Sequence, residues 1–217
     1  METLKIFNVK WTSQSAGPSL DSNRRTEVFL AGCRKAREGN ACPGCFNQEL
    51  WSKDVYCGSN SPQEAFENIR KHAPNKYITF VGGEPLDQAE PLAELCRLLH
   101  EDGYHIIVIT HFDVVDIMSS AKIIPFMQKL IDNIDVMIDG EYDASLRIWD
   151  EEKAGDGLHD VIGSGNQCIV DFKAYHDGYG LFVTEAGKLE GLAMNVNDDM
   201  VYVYKKFVNQ NVVREAS

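Results

Sequence analysis

The sequence predicts an α/β fold built on a mostly parallel β-sheet. Short apolar segments typical of strands alternate along the chain with segments that have the periodicity of amphipathic helices. Residues 105–110 are almost entirely apolar, as parallel strands are when helices cover both faces of a sheet. Short connections between such elements favour right-handed β-α-β units, which place consecutive strands side by side in one sheet.

The strands are predicted from short apolar segments that end at glycine or polar residues. They cover residues 5–9, 26–30, 77–81, 105–110 and 136–138, and a further strand follows a turn at residues 163–167 and ends at residue 170. Residues 12–23 are rich in Ser, Gly, Pro and Asn, which predicts a loop between the first two strands.

Three helical segments separate the strands. Residues 61–64 have the composition of a capping box with proline at the first helical position, so they start the first helix. Asp87 is predicted to cap the second helix, which Gly103 ends. The third segment covers residues 113–133 and is predicted to break near Pro125, because proline interrupts the hydrogen bonding of a helix.

The pattern changes in the C-terminal part of the chain. Residues 181–208 have the short alternating segments of β-hairpins, separated by turn residues. The sequence therefore predicts a core domain at residues 1–171 and a β-rich C-terminal extension at residues 172–217 that packs on the core.

The composition argues against binding to nucleic acid and to membranes. The 217 residues carry a formal net charge of −12, which disfavours non-specific binding to nucleic acid or to anionic membranes, since both require a basic surface. No apolar run approaches the roughly 20 residues that cross a bilayer, and the N-terminal residues lack the pattern of a secretion signal. We therefore expect a cytoplasmic protein that binds neither nucleic acid nor a membrane.

Three of the six cysteines lie close together in the sequence. Cys33 follows the strand at residues 26–30, and a C-x-x-C pair, Cys42 and Cys45, comes after an eight-residue gap. In a reducing compartment such cysteines favour metal binding over disulfides, and soft thiolates select zinc or an iron–sulfur cluster. Three thiolates leave one position of a cluster open, whereas a zinc site would need a fourth ligand such as Cys57 or a histidine. The cysteines alone leave both alternatives open.

Polar and glycine-containing segments follow the other predicted strands. Residues 82–85 form a Gly-Gly-Glu-Pro turn, and Thr110 and Asp139 each end a strand. Since ligands bind at the carboxyl ends of parallel strands, we expect these segments to meet the cysteine loop at one edge of the sheet. The glycines allow close backbone approach to a ligand, and Glu84 offers an acceptor for an ammonium group. Asp139 either binds a hydroxyl group of a ligand or caps a turn.

Five motifs occur in a fixed order between residues 26 and 171. They are Phe29-Leu30-Ala31-Gly32-Cys33, Cys42-Pro43-Gly44-Cys45-Phe46-Asn47, Thr79-Phe80-Val81-Gly82-Gly83-Glu84-Pro85-Leu86, Asp139-Gly140 and Gly163-Ser164-Gly165-Asn166-Gln167. In this order they resemble the motifs of the radical S-adenosylmethionine (radical SAM) superfamily. Within it, the chain is most similar to the activating enzyme of anaerobic ribonucleoside-triphosphate reductase, a glycyl-radical-enzyme activating enzyme. The resemblance implies a partial (β/α) barrel as the core.

The resemblance also implies the cofactors and the residues that bind them. Cys33, Cys42 and Cys45 would hold a 4Fe-4S cluster whose open iron is chelated by the methionine part of S-adenosyl-L-methionine (SAM), and Glu84 would receive the SAM amino group. The other residues implied to contact the cofactor are Gly44, Phe46, Asn47, Gly82, Gly83, Pro85, Thr110 and Asp139. Reductive cleavage of SAM would give a 5′-deoxyadenosyl radical, which in activating enzymes removes a hydrogen atom from a glycine. The implied partners are the anaerobic ribonucleotide reductase, which is a large glycyl-radical enzyme, and a flavodoxin- or ferredoxin-like electron donor.

Some residues depart from the family's pattern. The first cysteine gap is eight residues instead of three and contains the basic segment 34–37, Cys168 stands where relatives carry arginine, and residues 111–112 are His-Phe instead of Gly-aromatic. The longer gap favours an alternative, a radical SAM enzyme acting on a small molecule, such as a 7-carboxy-7-deazaguanine synthase. Asp139-Gly140 and residues 163–167 favour the activating enzyme. A second alternative is a non-enzymatic zinc-binding module.

Overall fold

A computed structural model describes residues 2–13, 25–55, 58–147, 163–172, 176, 182–183 and 189–190. The strands in these ranges are β1 (Leu4–Ser13), β2 (Arg25–Leu30), β3 (Gly58–Asn60), β4 (Tyr77–Gly82), β5 (His105–Ile109), β6 (Val136–Asp139), β7 (Cys168–Asp171), β8 (Phe182–Val183) and β9 (Leu189–Glu190). The helices are α1 (Arg34–Arg37), α2 (Pro62–His72), α3 (Ala89–Glu101), α4 (Val114–Ala121) and α5 (Pro125–Asp132).

Within the described ranges, seven strands form one sheet in the order β3-β1-β2-β4-β5-β6-β7. The four central strands β2, β4, β5 and β6 are parallel, while β1, β3 and β7 pair with their neighbours in antiparallel orientation. The predicted α/β fold with a parallel sheet at its centre is therefore confirmed. The parallel strands all end at one edge of the sheet, where the sequence motifs follow them.

Helices α2 to α5 follow the predicted pattern closely. Ser61 accepts a hydrogen bond from the backbone N–H of Glu64, and the Glu64 carboxylate accepts one from the backbone N–H of Ser61, which completes the predicted capping box. The third helical segment breaks before Pro125 into α4 and α5, as predicted. The apolar side chains of α3 are buried against the sheet and against α2 and α5, including Cys96, which therefore belongs to the core.

Three details of the prediction are wrong. Asp87 does not cap α3, because a short 3₁₀ turn, Pro85–Gln88, precedes the helix and Gln88 occupies its N-cap position. Residues 12–13 belong to β1 instead of a loop, since β1 continues alongside β2 as far as Ser13. Strand β3 has the sequence Gly-Ser-Asn, which carries no strand signal, and forms by pairing with the start of β1.

In the C-terminal extension, the described strands β8 and β9 pair in antiparallel orientation at the place of the first predicted hairpin. The remainder of the predicted loop at residues 14–23, Cys57, and the predicted strands beyond residue 190 lie outside the described residues. The packing of the extension on the core therefore stays a prediction. None of the described helices has the length and apolar character needed to cross a membrane.

Candidate active site

Strand β2 delivers the first cysteine to the carboxyl edge of the sheet. The backbone N–H of Gly32 donates to the carbonyl oxygen of Leu50 at 2.7 Å, and that of Cys33 donates to the carbonyl oxygen of Trp51 at 2.9 Å. The eight-residue gap then begins as the short helix α1, with Cys33 as its N-cap residue. The gap therefore accommodates its extra residues as a helix, while Cys33, Cys42 and Cys45 line the same cavity.

The Gly-Gly-Glu-Pro turn packs directly on the segment that leads to Cys33. The backbone N–H of Gly83 donates to the carbonyl oxygen of Leu30 at 2.8 Å, and that of Glu84 donates to the carbonyl oxygen of Gly32 at 2.7 Å. A Cβ atom at Gly83 would overlap the same Gly32 oxygen, so only glycine allows the two backbones to approach this closely. The side chain of Asn47 adds a third link by donating to the carbonyl oxygen of Gly82 at 2.8 Å.

Glu84 is buried, and its carboxylate is held in one orientation. Oε1 accepts hydrogen bonds from the Thr110 hydroxyl at 2.7 Å and the Leu86 backbone N–H at 2.8 Å, and Oε2 accepts one from the His111 backbone N–H at 2.9 Å. Burial raises the pKa of Glu84, and the charge and N–H of His111 with the other hydrogen bonds offset part of that effect. A cation beside this carboxylate would offset the remaining cost of burying its charge. The SAM amino group fits that requirement.

The site is a cavity of about 280 Å³ at the carboxyl ends of the parallel strands. Nine of the residues predicted from the sequence line it: Cys33, Cys42, Cys45, Phe46, Asn47, Gly82, Gly83, Glu84 and Thr110. The cysteine loop and the glycine turn therefore meet at one cavity, as expected. The cofactor-binding roles of the individual residues stay predictions.

Three predicted residues do not line the cavity. Gly44 has a positive φ of 71°, and a Cβ atom there would lie 2.6 Å from the Cβ atom of Ala144, so its role is close packing. Pro85 is buried at the start of the 3₁₀ turn. The carboxylate of Asp139 accepts a hydrogen bond from the backbone N–H of Val114 at 2.9 Å, at the start of α4. For Asp139, the capping alternative is therefore the one that this contact supports.

The end of β6 and residues 163–167 form one hydrogen-bonded unit beside the cavity. Gln167 Nε2 donates to the carbonyl oxygen of Gly140 at 2.9 Å, and Gln167 Oε1 accepts from the backbone N–H groups of Gly163 and Ser164 at 3.1 and 3.2 Å. Asn166 Nδ2 donates to the carbonyl oxygen of Glu141 at 2.6 Å. The unit places Gly140, Gly163 and Gln167 in the cavity wall.

An aromatic pair lines the cavity next to this unit. The rings of Phe46 and Tyr142 lie 4.6 Å apart between centroids, and the Arg147 guanidinium lies 5.0 Å from the centroid of the Phe46 ring. Tyr142 was not among the predicted site residues, because it follows the Asp139-Gly140 motif without a motif of its own. Its position becomes visible only in the structure, where the backbone N–H of Ala144 donates to the carbonyl oxygen of Pro43 at 3.3 Å and joins the segment after β6 to the cysteine loop.

The prediction also missed residues from the first two strands. Lys10 on β1 and Glu27 and Phe29 on β2 line the cavity, as does Trp51 after the cysteine loop. Alternate residues of a strand face the same side of a sheet, so the spacing of Glu27 and Phe29 is the signal that could have found them.

The three cysteines are candidate ligands of a metal cofactor. They are free thiols that share one cavity, and burial raises the pKa of Cys33 and Cys42. Metal coordination stabilises the thiolate form and would overcome that effect. In the described ranges, however, no group of three or more His, Cys, Asp or Glu side chains converges on one metal ion. A cluster does not require such convergence, because each thiolate binds a different iron.

Comparison with known proteins decides the metal cofactor. Residues 22–168 match a family model described as a 4Fe-4S single cluster domain. The chain belongs to this family. Membership in the 4Fe-4S single cluster domain family selects the iron–sulfur cluster over the zinc alternative that the cysteines left open. Together with the motifs around the cavity, it supports a radical SAM enzyme whose cofactors are a 4Fe-4S cluster and SAM.

The comparisons with curated proteins and with solved structures carry less information about this chain. No curated protein matches the chain significantly. Among solved structures, the crystal structure of QueE from Escherichia coli is similar, with 16% sequence identity and a TM-score of 0.41. The similar region covers 51% of this chain and 53% of the QueE chain, which is about half of each.

Proposed function

We propose that the protein is a glycyl-radical activating enzyme that installs a glycyl radical on an anaerobic ribonucleotide reductase. The observation that carries the proposal is the hydrogen-bonded unit of residues 140–141 and 163–167 in the cavity wall. These two segments are the places where the sequence resembles the activating enzyme more than other short radical SAM enzymes. Their joint position beside the cysteine loop supports a shared role.

The chain's own residues would bind and orient the reactants. When bound, the cluster and SAM supply reductive cleavage of SAM to methionine and a 5′-deoxyadenosyl radical, which abstracts a hydrogen atom. Glu84, already oriented by Thr110 and His111, receives the amino group of SAM. The paired rings of Phe46 and Tyr142 line the adenosine side of the cavity.

The electron for this chemistry comes from outside the chain. We propose a flavodoxin- or ferredoxin-like protein as the donor, because reductive cleavage of SAM consumes one electron per turnover. The reductase that receives the glycyl radical is the second proposed partner.

The test is glycyl radical formation on a purified anaerobic ribonucleotide reductase. The reconstituted protein is mixed anaerobically with the reductase, SAM and a reductant, and the electron paramagnetic resonance spectrum is recorded. We expect a glycyl radical signal on the reductase that depends on SAM and disappears in a Cys42→Ala variant. SAM cleavage without any radical on the reductase would overturn the proposal.

A second candidate is a small-molecule radical SAM enzyme such as a 7-carboxy-7-deazaguanine synthase. The observation that favours it is the helix α1 in the lengthened cysteine gap, which helps to line a second cavity of about 640 Å³. His111 and Gly140 line both cavities, so the second adjoins the first. Formation of the synthase's product from its substrate, in a mixture without reductase, would favour this candidate.

A further inference from the structure

Glu27 is a buried carboxylate in the active-site cavity for which the proposed mechanism has no use. It lies on β2, where it pairs with Thr79 on β4. The pair formed by Leu30 and Gly82, at the glycine turn, comes three residues later along the same two strands. At the rise of a β-strand, this places it about 10 Å deeper along the sheet than the glycine turn. It therefore faces a different part of the cavity from the carboxylate of Glu84.

Burying the carboxylate of Glu27 at this position costs free energy. The residue is 6% exposed, and its Oε2 atom has no hydrogen-bond partner in the part of the chain that the structure describes. Burial raises the pKa of Glu27, and the charge and side-chain contact of Lys10, with a hydrogen bond to Ser13, offset only part of that effect. Burying a carboxylate oxygen without a hydrogen bond costs free energy, so a bound donor would lower the energy of the site.

Lys10 supplies a complementary group at the same point. It lies directly opposite Glu27 on the neighbouring strand, with its Nζ atom 3.8 Å from Glu27 Oε2 and 4.7 Å from the centroid of the Phe29 ring. A cross-strand Lys–Glu pair can be a purely structural contact. Here, however, the lysine side chain is 55% exposed and the distance exceeds that of a hydrogen bond, so both groups can still bind a ligand.

An acceptor and a donor side by side match the N–H and C=O groups of a peptide main chain. We propose that Glu27 and Lys10 bind the main chain of the glycine-bearing segment of the reductase, with Glu27 Oε2 accepting from a peptide N–H and Lys10 Nζ donating to a carbonyl oxygen. This inference rests on the proposed function. It assigns the deeper part of the cavity to the protein substrate, whereas the end near Glu84 takes SAM.

The test compares three variants of the reconstituted protein. Glu27→Gln removes the charge and replaces one acceptor oxygen, Lys10→Met removes the donor but keeps the apolar stem over Phe29, and Glu90→Gln changes an exposed carboxylate on α3 as a control. The measurements are the glycyl radicals formed per SAM cleaved, the KM for the anaerobic reductase, and the Kd for SAM.

For Glu27→Gln and Lys10→Met we expect the KM for the reductase to rise about tenfold each, which corresponds to the loss of one hydrogen bond to a charged group. The number of radicals per SAM cleaved falls, while Glu90→Gln behaves as the wild-type protein. If Glu27→Gln fails to fold or to load its cluster, Lys10→Met decides the outcome, because its half-exposed side chain is not part of the core.

The outcomes separate the two proposals. A wild-type protein that forms no glycyl radical overturns the proposed function and this inference with it. A wild-type protein that forms the radical, with unchanged KM and coupling in both variants, overturns this inference alone. Variants that weaken the binding of SAM, and not the binding of the reductase, would also overturn this inference alone.

Discussion

The backbone N–H of Glu84 donates a hydrogen bond to the carbonyl oxygen of Gly32, with 2.7 Å between nitrogen and oxygen. Gly32 precedes the first cysteine of the cluster motif, and Glu84 carries the carboxylate proposed to bind SAM. The contact therefore sets the distance between the place where the cluster is expected and the place where the amino group of SAM is expected. Changes that separate these two backbones should abolish SAM chemistry even where the fold survives.

Substituting Gly83 tests this close approach. In Gly83→Ala the added Cβ atom overlaps the Gly32 carbonyl oxygen and lies 2.8 Å from that of Leu50, so we expect a loss of about 1–3 kcal/mol in the free energy of unfolding. SAM cleavage under reducing conditions should fall to background. Thermal unfolding and the formation of 5′-deoxyadenosine are the measurements.

Gly103→Ala is the matched control for that variant. Gly103 has a positive φ of 78°, and a Cβ atom added there would meet no atom of the described residues within 4 Å. Alanine therefore costs about 1 kcal/mol at this position, through backbone strain alone. We expect SAM cleavage to stay at the wild-type rate. Equal losses of SAM cleavage in both variants would contradict the role of the Gly83 contact.

Glu84→Gln tests the carboxylate itself. The substitution keeps the size of the side chain and removes the negative charge, so we expect the Kd for SAM to rise by about tenfold or more, since a charge-assisted hydrogen bond is lost. The cluster content should not change, because Glu84 is not a cluster ligand. Equilibrium binding of SAM to the reconstituted protein measures the effect.

The exposed carboxylate Glu67, which pairs with Arg70 on α2, is the control for Glu84. Glu67→Gln should bind SAM as the wild-type protein does. Unchanged SAM binding in Glu84→Gln would remove Glu84 from the cofactor site.

Glu27 should make the stability of the protein depend on pH. Burial raises its pKa in the folded state above the ordinary value of 4.5, so folding favours the protonated form. Its favourable contribution is complete below the unfolded-state pKa and is lost as the pH rises through the raised folded-state pKa. We expect the free energy of unfolding of the cluster-free protein to fall with rising pH over that window, and less steeply in Glu27→Gln.

Chemical denaturation at a series of pH values measures this slope. Burial also raises the pKa of Glu84, so part of the slope remains in Glu27→Gln. Identical slopes in the variant and the wild-type protein would mean that Glu27 is solvated in the folded state.

The carboxyl edge of the sheet could be predicted because its signals are local. Apolar strands followed by glycine, cysteine or a carboxylate identify both the strand ends and the ligands, and Cys33, Asn47, Glu84 and Thr110 lie in the predicted cavity. The deeper part of the cavity could not be predicted in the same way. Lys10 reaches it only because β1 runs antiparallel beside β2, and strand pairing depends on contacts between residues distant in sequence.

Competition between local hydrogen bonds explains the smaller errors of the prediction from sequence. Asp87 has a residue type that caps helices, but Glu84 accepts a hydrogen bond from the Leu86 backbone N–H and closes a 3₁₀ turn before α3 begins. The Asp87 carboxylate instead accepts a hydrogen bond from the backbone N–H of Arg34, at the start of the inserted helix α1. The Asp87 side chain thus pairs with a residue more than 50 positions away instead of capping α3.

Anaerobic reconstitution with iron and sulfide tests the central claim, that Cys33, Cys42 and Cys45 hold one cluster with an open iron for SAM. We expect a brown protein with about four irons per chain that cleaves SAM only when reduced. Alanine at any of the three cysteines should abolish SAM cleavage, whereas alanine at the core residue Cys96 should leave the cluster in place. A colourless protein that binds one zinc per chain and leaves SAM intact would contradict the account.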